Sequence, residues 1–272
     1  MDVETIHGAS VPAVGLGTWR MDERTARSTV EGAIGLGYRH IDTAQLYDNE
    51  AGVGRAIAAS DVDREDLFVT TKVNPWHRHF DAIVGSVEES LDALQLDTVD
   101  LLLIHWPNPL ADLETVMAAL DEARDRGYTR HIGVSNFGRD RLDRARRLAD
   151  SPIFTDQVQF HPFWPQRELL SYCQDEDILL TAYSPLAHGG AVNDDLAREI
   201  GDRLGRTPAQ VVLRWAIEHR NVVAIPKSTS QDHLAENLDV FDFELEEHEW
   251  QRLTRPSKLK SGLLWTRGRL GI

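Results

Sequence analysis

Lysine and cysteine are scarce in this chain of 272 residues. Only four of its 29 basic residues are lysine, at positions 72, 227, 258 and 260, and Cys173 is its one cysteine. A single cysteine excludes an intramolecular disulfide and a cysteine-based zinc finger or ribbon. Long apolar runs are also missing: residues 101–104 form one of the longest, far below the roughly 18 residues of a membrane span. Residues 1–10 lack the basic and apolar parts of a secretory signal, so we expect a soluble cytoplasmic enzyme or binding protein.

Positive charge is in deficit. The chain has 44 Asp and Glu against 29 Lys and Arg, which gives a formal net charge of −15. Such acidity opposes binding to nucleic acid phosphates and to anionic lipids, so we expect neither nucleic acid nor membrane as a partner. It also keeps a protein dispersed where salt screens self-repulsion. We therefore hypothesise a cytosol of high ionic strength, as in a halophile; the plainer interpretation is an acidic bacterial protein.

Short β-rich runs alternate with segments of helical periodicity along the chain. Helices are predicted over residues 82–94, 113–126, 141–149 and 209–219, the last one opened by Thr207 as N-cap and Pro208 in the first turn. Strands are predicted at residues 14–18, 39–43, 67–73, 99–105, 131–135, 155–160, 178–184 and 222–226. This strict alternation favours a parallel sheet with helical crossovers.

The number of strands and the length fit a closed (β/α)8 TIM barrel, predicted as one domain over residues 1–272. Residues 3–13, with His7 and Gly8 in the middle, predict a small β-hairpin ahead of the barrel. An open doubly wound sheet is the alternative. It is disfavoured because Gly15 and Gly17 do not form the G-x-G-x-x-G fingerprint at a helix start.

Polar residues follow several predicted strands, at the barrel rim where such folds keep their active sites. Asp42, Lys72 and His105 end neighbouring strands, and Tyr47 lies in the loop after the second one. A tyrosine is a poor proton donor at neutral pH unless its phenolate is stabilised, which a nearby ammonium does. A carboxylate would hold that ammonium, and a histidine would orient a carbonyl. The four residues therefore predict a site that reduces carbonyl groups.

Eight short motifs resemble the aldo-keto reductase family, and within it the branch of bacterial and archaeal 2,5-diketo-gluconate reductases. They are GLGTW at 15–19, YRHIDTA at 38–44 with Tyr47, TK at 71–72, LIHWP at 103–107, GVSNF at 133–137, QVQ at 157–159 with HP at 161–162, AYSPL at 182–186 and IPKS at 225–228. Each motif alone is a weak signal, but all eight stand in the family's order.

The resemblance implies an NAD(P)H-dependent oxidoreductase that reduces aldehydes or ketones, such as keto-sugars and dicarbonyls, to alcohols. Tyr47 would donate the proton, Lys72 paired with Asp42 would lower the pKa of Tyr47, and His105 would position the carbonyl oxygen. The nicotinamide cofactor would lie extended across the rim. The residues expected to bind it are Gly17, Thr18, Ser135, Asn136, Gln157, Tyr183, Ser184, Leu186, Gly189, Lys227, Ser228, Thr229, His233, Glu236 and Asn237.

Four tryptophans follow predicted strands and are expected to wall an apolar substrate pocket, with packing as the alternative interpretation. They are Trp19, Trp76, Trp106 and Trp164. His77, His79 and His161 lack the spacing of metal ligands, so we predict no metal site. Cys173 falls in a predicted helix, where we expect it to be a buried small apolar residue.

Three features depart from the family pattern. The position six residues after Lys227, which usually carries an arginine, is His233. A neutral imidazole offers one donor instead of a charged fork, so we predict that NADPH is used and that NADH competes. Trp76 also comes later after Lys72 than the family's tryptophan does. The short tail at 261–272, with Arg267 and Arg269, predicts an open pocket and hints at acidic substrates.

Two other functions remain open on the sequence. One is a cofactor-binding regulatory subunit on the same barrel, against which the complete set of four residues argues. The other is a cofactor-free lyase with Lys72 as a Schiff-base nucleophile, which needs an uncharged lysine, whereas Asp42 favours the charged form. A monomer is expected, because no apolar stripe is left unassigned to the barrel.

Overall fold

An antiparallel hairpin opens the fold. In the computed structural model, which describes residues 2–255, β1 (Val3–Ile6) pairs with β2 (Ala9–Pro12). The turn between them places His7 and Gly8 at positive φ, 46° and 80°. Glycine adopts this region freely, which suits a two-residue hairpin turn. The predicted hairpin is confirmed.

Eight parallel strands follow and form a nearly closed barrel in which neighbours in sequence are neighbours in space. The seam is closed where Gly15 N donates to Ala224 O at 2.8 Å and Ala224 N donates to Ala13 O at 2.8 Å. The strands are β3 (Leu16–Gly17), β4 (His40–Asp42), β5 (Phe68–Val73), β6 (Val99–Ile104), β7 (Thr129–Ser135), β8 (Ile153–Gln159), β9 (Leu179–Tyr183) and β10 (Val222–Ile225). The predicted (β/α)8 barrel is confirmed, and the doubly wound alternative is wrong.

Helices alternate with these strands and cover the outside of the barrel. The last predicted one begins at Pro208, after a Thr207 N-cap whose hydroxyl accepts from Gln210 N at 3.3 Å. The helices are α1 (Glu23–Leu36), α2 (Glu50–Ala58), α3 (Phe80–Leu94), α4 (Leu113–Asp125), α5 (Arg139–Leu148), α6 (Arg167–Asp175), α7 (Asp195–Leu204), α8 (Pro208–Ile217), α9 (Gln231–Leu238) and α10 (Glu247–Leu253). Within residues 2–255, none of them is long and apolar enough to cross a membrane.

The hairpin closes the end of the barrel where the strands begin. Ile6 and Val11 of the hairpin pack on Phe68, Phe154 and Leu103, which point into the barrel. This apolar plug fills one end, so the opposite rim, where the strands end, is left for polar side chains. Cys173 lies buried on α6, as expected, and burial raises the pKa of its thiol. The tail at 261–272 lies outside the described residues.

Candidate active site

The barrel brings the four predicted residues to one place. Asp42 ends β4, Lys72 lies on β5, and His105 directly follows β6. Because these are adjacent parallel strands, their carboxyl ends meet at one rim. Tyr47 ends a short 3-10 turn, Gln45–Tyr47, in the loop after β4.

Two amide side chains hold the Tyr47 loop on either side. The Gln45 amide nitrogen donates to Ser90 Oγ at 3.0 Å, and its oxygen accepts from Asn74 N at 2.7 Å. Asn49 accepts from Thr43 Oγ1 at 2.8 Å and donates to Thr18 O at 3.0 Å. The tyrosine is therefore carried by a loop whose polar groups are tied to three different elements.

Lys72 is fully buried beneath the site and uses its three N–H groups within it. Its Nζ lies 2.5 Å from Asp42 Oδ1, 2.8 Å from Thr43 O and 3.3 Å from Tyr47 Oη. The ammonium therefore links the carboxylate to the phenol, as the sequence predicts.

A second acid lies close to this lysine and was not predicted. Glu50, at the start of α2, accepts from Thr71 Oγ1 at 2.5 Å and from Ser90 Oγ at 3.3 Å. Burial raises the pKa of Glu50. Burial also lowers the pKa of Lys72, while the negative charges of Asp42 and Glu50 oppose that shift. No spacing in the sequence marks Glu50, because Thr71 and Ser90 come from other elements.

Tyr47 keeps its proton at neutral pH. Burial raises its pKa well above the ordinary value, and the charge of Asp42 acts in the same direction. We expected Lys72 to lower this pKa; in the structure burial is the largest cause, and the shift is upward. The hydroxyl is thus a protonated group that receives a hydrogen bond from a cation.

His105 is a neutral imidazole. Burial lowers its pKa to about 3, and the Lys72 charge adds to the shift. Its ring meets the Tyr47 ring edge-on, with centroids 5.3 Å apart. Asn136 Nδ2 donates to the His105 carbonyl at 3.1 Å, which fixes the loop after β6. A neutral ring can donate one hydrogen bond to a carbonyl oxygen beside Tyr47.

A cavity of about 770 Å³ opens above these residues. Asp42, Tyr47 and His105 form part of its floor, and Lys227 also lines it. Trp19, Trp76 and Trp106 also line it, with 38%, 71% and 42% of their surfaces exposed. The remaining lining side chains come largely from the loops that follow the strands, as in other barrel enzymes.

A chain of hydrogen bonds connects the predicted nicotinamide-binding residues. Gln157 Nε2 donates to Asp42 Oδ2 at 2.7 Å, and Ser135 Oγ donates to Gln157 O at 2.7 Å. Asn136 Nδ2 donates to Ser135 Oγ at 2.9 Å, while Tyr183 Oη donates to Asn136 Oδ1 at 2.8 Å. All of these side chains reach the cavity wall.

The loop after β9 also lines the cavity with predicted residues. Ser184, Leu186 and Gly189 are among them, and Gly17 of β3 lines the same cavity. A Cβ on Gly17 would come within 2.9 Å of Ile225 O, so glycine is required there. His188, on the same loop at φ 52°, lines the cavity too. No motif marks it.

The predicted adenosine-binding residues lie beyond the cavity, with the exception of Lys227. Thr229 and His233 are exposed, the latter on α9. Ser228 is buried and its Oγ accepts from Ser230 N at 3.1 Å. Glu236 is half-buried, and the buried Asn237 hydrogen-bonds the Tyr38 hydroxyl.

Two predicted roles do not fit the structure. Thr18 is fully buried, and its hydroxyl donates to Asp42 O at 3.0 Å, so it supports β4 and does not line the cavity. Trp164 does not line the cavity either. It lies in a tight turn in which Trp164 N donates to His161 O at 2.8 Å. Among residues 2–255, no group of His, Cys, Asp and Glu is arranged to hold a metal ion.

The fold and site define a (β/α)8 oxidoreductase with its polar residues at the carboxyl rim. The model of the Aldo/keto reductase family matches residues 13–257. The chain belongs to the aldo-keto reductase family, whose members generally use NAD(P)H, and it is an oxidoreductase that acts on carbonyl groups.

Individual relatives agree with this assignment. A glyoxal reductase of Bacillus subtilis is 39% identical over 94% of this chain and 92% of its own length. Methylglyoxal reductase DkgB of Escherichia coli O157:H7 is 41% identical over 87% of this chain and 90% of its own length. A solved structure provisionally described as a 2,5-diketo-D-gluconic acid reductase B superposes with a TM-score of 0.91, at 42% identity, over 93% of this chain and 90% of the other.

Proposed function

We propose that this chain reduces aldehydes, ketones and small dicarbonyls to alcohols with Tyr47 as proton donor. The main support is the position of Lys72 Nζ, which lies 2.5 Å from the Asp42 carboxylate and 3.3 Å from the Tyr47 hydroxyl. Tyr47 in turn lines the cavity. A protonated phenol beside a cation can release its proton to an oxygen on which negative charge develops.

Each residue has a separate role in the proposed reaction. His105, neutral at working pH, donates a hydrogen bond that holds the carbonyl oxygen next to Tyr47. Tyr47 protonates that oxygen as its carbon is reduced. Lys72 stabilises the phenolate left behind, and Asp42 keeps the lysine charged despite its burial. The proton is then regained from solvent.

The residues present fit a nicotinamide cofactor. Ser135, Asn136 and Gln157 form a cluster of amide and hydroxyl groups suited to a carboxamide, and the Tyr183 ring lies beside them at the cavity wall. When bound, the reduced ring supplies the hydride. Ser184, Leu186 and Gly189 would border the pyrophosphate. Lys227, Ser228, Thr229, His233, Glu236 and Asn237 would meet the adenosine part. We propose NADPH as cofactor, with NADH also accepted.

The substrate class follows from the relatives and the cavity. Glyoxal, methylglyoxal and a diketo-gluconate are the compounds in the names of the proteins compared above. Tryptophans and prolines surround the catalytic floor, which favours compact substrates with an apolar side. We therefore propose small dicarbonyls and keto-sugars as the first substrates to test.

The lyase alternative conflicts with the lysine's surroundings. A Schiff-base lysine must reach the carbonyl carbon with a free electron pair. Lys72 is fully buried, absent from the cavity wall, and directs its N–H groups at three acceptors. The regulatory alternative has no supporting feature in the site, and the relatives compared above are reductases.

The acidity of the chain supports an origin in a salty cytoplasm. Lys72 and Lys227 are the only lysines among residues 2–255, and both belong to the site, so arginine supplies the other positive charges of this part of the chain. We propose a halophilic monomer that acts as one domain. Unfolding measured against KCl concentration tests this: a midpoint that rises up to molar salt supports halophily, and equal stability at low and molar salt contradicts it.

The activity is tested by following NADPH and NADH oxidation in high salt with methylglyoxal, aromatic aldehydes and keto-acids. Wild-type protein should turn over at least one class. Tyr47→Phe should lose reduction while still quenching its tryptophan fluorescence on cofactor binding. Retained turnover in Tyr47→Phe contradicts the proton-donor role, and tight cofactor binding without turnover in wild type favours the regulatory subunit.

A further inference from the structure

Asp42 is held by two partners from different parts of the barrel. Its Oδ1 lies 2.5 Å from Lys72 Nζ, and its Oδ2 lies 2.7 Å from Gln157 Nε2. Only about 1% of Asp42 and 2% of Gln157 is exposed to solvent. An ionised carboxylate only accepts hydrogen bonds, so the amide must turn its nitrogen toward Asp42.

This contact crosses the inside of the barrel. Asp42 ends β4 and Gln157 lies on β8, four strands away in a ring of eight, which is the opposite wall. Gln157 is itself fixed, because its carbonyl accepts from Ser135 Oγ at 2.7 Å and from Asn136 N at 3.0 Å. A rigid strand therefore presents the amide to the carboxylate beneath the cavity.

We propose that Gln157 is a positioning residue for Asp42, joining the amide-binding cluster to the Lys72–Tyr47 pair. With its nitrogen committed to Asp42, the Gln157 oxygen is left to accept from the amide of the nicotinamide. The same side chain would then align the cofactor and hold the carboxylate that fixes Lys72. The alignment of the cofactor by Gln157 rests on the proposed function, whereas the positioning of Asp42 by Gln157 does not.

Two substitutions separate this role from simple packing. Gln157→Leu removes the donor and keeps a similar length. Gln157→Glu puts two carboxyl groups in contact, so one must hold a proton, and the pKa of the pair rises above that of an ordinary glutamate. The protonated form can donate to Asp42 and restore the contact, whereas the ionised form repels it.

The primary measurement is the thermal midpoint of the cofactor-free full chain between about pH 5 and about pH 8, the interval over which a shared proton is lost. The thermal midpoint of Gln157→Glu should lie below that of wild type, and the difference should grow by several degrees as pH rises. The deficit of Gln157→Leu should stay constant. A pH-independent deficit in Gln157→Glu would overturn the inference.

The second measurement is kinetic. With cofactor and substrate saturating, Gln157→Leu should lower kcat about tenfold, because Lys72 and Tyr47 lose their alignment. A rise in the KM for cofactor with kcat unchanged would mean that Gln157 only binds the cofactor. If wild type reduces no substrate but the thermal midpoint of Gln157→Glu depends on pH as expected, the proposed function fails and the positioning of Asp42 stands.

Discussion

The indole of Trp19 meets the imidazole of His188 edge-on, with ring centroids 6.1 Å apart. Trp19 follows β3 and His188 follows β9, and β10 lies between these two strands in the closed barrel. The pair therefore links loops that follow the strands on either side of β10. Two loops that line the cavity are thus joined by one aromatic contact.

Loss of this contact should loosen cofactor binding. An aromatic pair contributes about 0.5–1.5 kcal/mol, so His188→Ala should speed cofactor release about twofold to tenfold in stopped-flow fluorescence. His188→Phe, which keeps a ring, should release at close to the wild-type rate. Equal acceleration in both variants would show that the ring contact is irrelevant. His79→Ala, at an exposed site away from the cavity, is the control.

Lys72 should not tolerate arginine. Its ammonium is fully buried and makes three directed hydrogen bonds, which a planar guanidinium on a longer stem does not reproduce. Steady-state assays of Lys72→Arg should show kcat lowered at least about 100-fold, in the range of lost acid–base catalysis. Lys227→Arg is the matched control and should act mainly on the KM for NADPH. A Lys72→Arg enzyme within about threefold of wild type would contradict the assigned role.

Cofactor preference should respond to position 233. His233 is exposed on α9, and an imidazole offers a phosphate fewer hydrogen-bond donors than the fork of a guanidinium. His233→Arg should shift the kcat/KM ratio toward NADPH about tenfold, whereas His233→Gln should leave the ratio near that of wild type. A wild-type preference for NADPH above about a thousandfold, about 4 kcal/mol, would contradict the predicted dual use.

Acid should destabilise the fold through buried histidines. Burial lowers the pKa of His161 to about 3 and that of His219 to about 4, below the ordinary histidine value. The unfolded chain then binds more protons, so stability is complete above about pH 6.5 and declines as pH falls toward the folded pKa. Urea unfolding of His161→Gln should show a shallower decline between pH 6.5 and about pH 4 than that of wild type.

Asp156 should have the opposite pH dependence. It is fully buried on β8, its Oδ1 accepts from Phe137 N at 3.4 Å, and its Oδ2 has no partner within residues 2–255. Burial raises its pKa well above the ordinary value, so its contribution to stability is complete below about pH 3.8 and is lost as pH rises. Asp156→Asn should be more stable than wild type at neutral pH, and the gain should shrink toward pH 4. If Asp156→Asn is less stable than wild type at every pH, this account is wrong.

Local patterns were enough to predict the barrel and much of its rim. The alternation of strand and helix runs gave the element order, and the residues that end strands, Asp42, Lys72 and His105, follow from that order alone. Boundaries differ by about two residues, as at α3, which begins at Phe80 although the side chain of its N-cap, His79, makes no cap hydrogen bond.

One contact that was missed depends on closure of the ring, and two wrong expectations have other causes. Gln157 reaches Asp42 because β8 faces β4 across the barrel, which no spacing along the chain reveals. Thr18 was assigned to the cofactor because it sits in a family motif, yet burial commits its hydroxyl to β4. Trp164 follows a strand as the other tryptophans do, but it lies in a tight turn closed by a backbone hydrogen bond to His161 and is not among the residues that line the cavity.

The seam between Gly15 and Ala224 also sets an order of events during synthesis. The first barrel strand, β3, completes its pairing only when the last one, β10, is present. Bringing such distant segments together costs loop entropy before any contact compensates it. A nascent chain on the ribosome therefore carries most of the strands while the ring is still open and its inner apolar side chains are uncovered. Reductase activity should appear only after residues near 225 have emerged, so a truncated translation product would be a client for chaperones and not a weak enzyme.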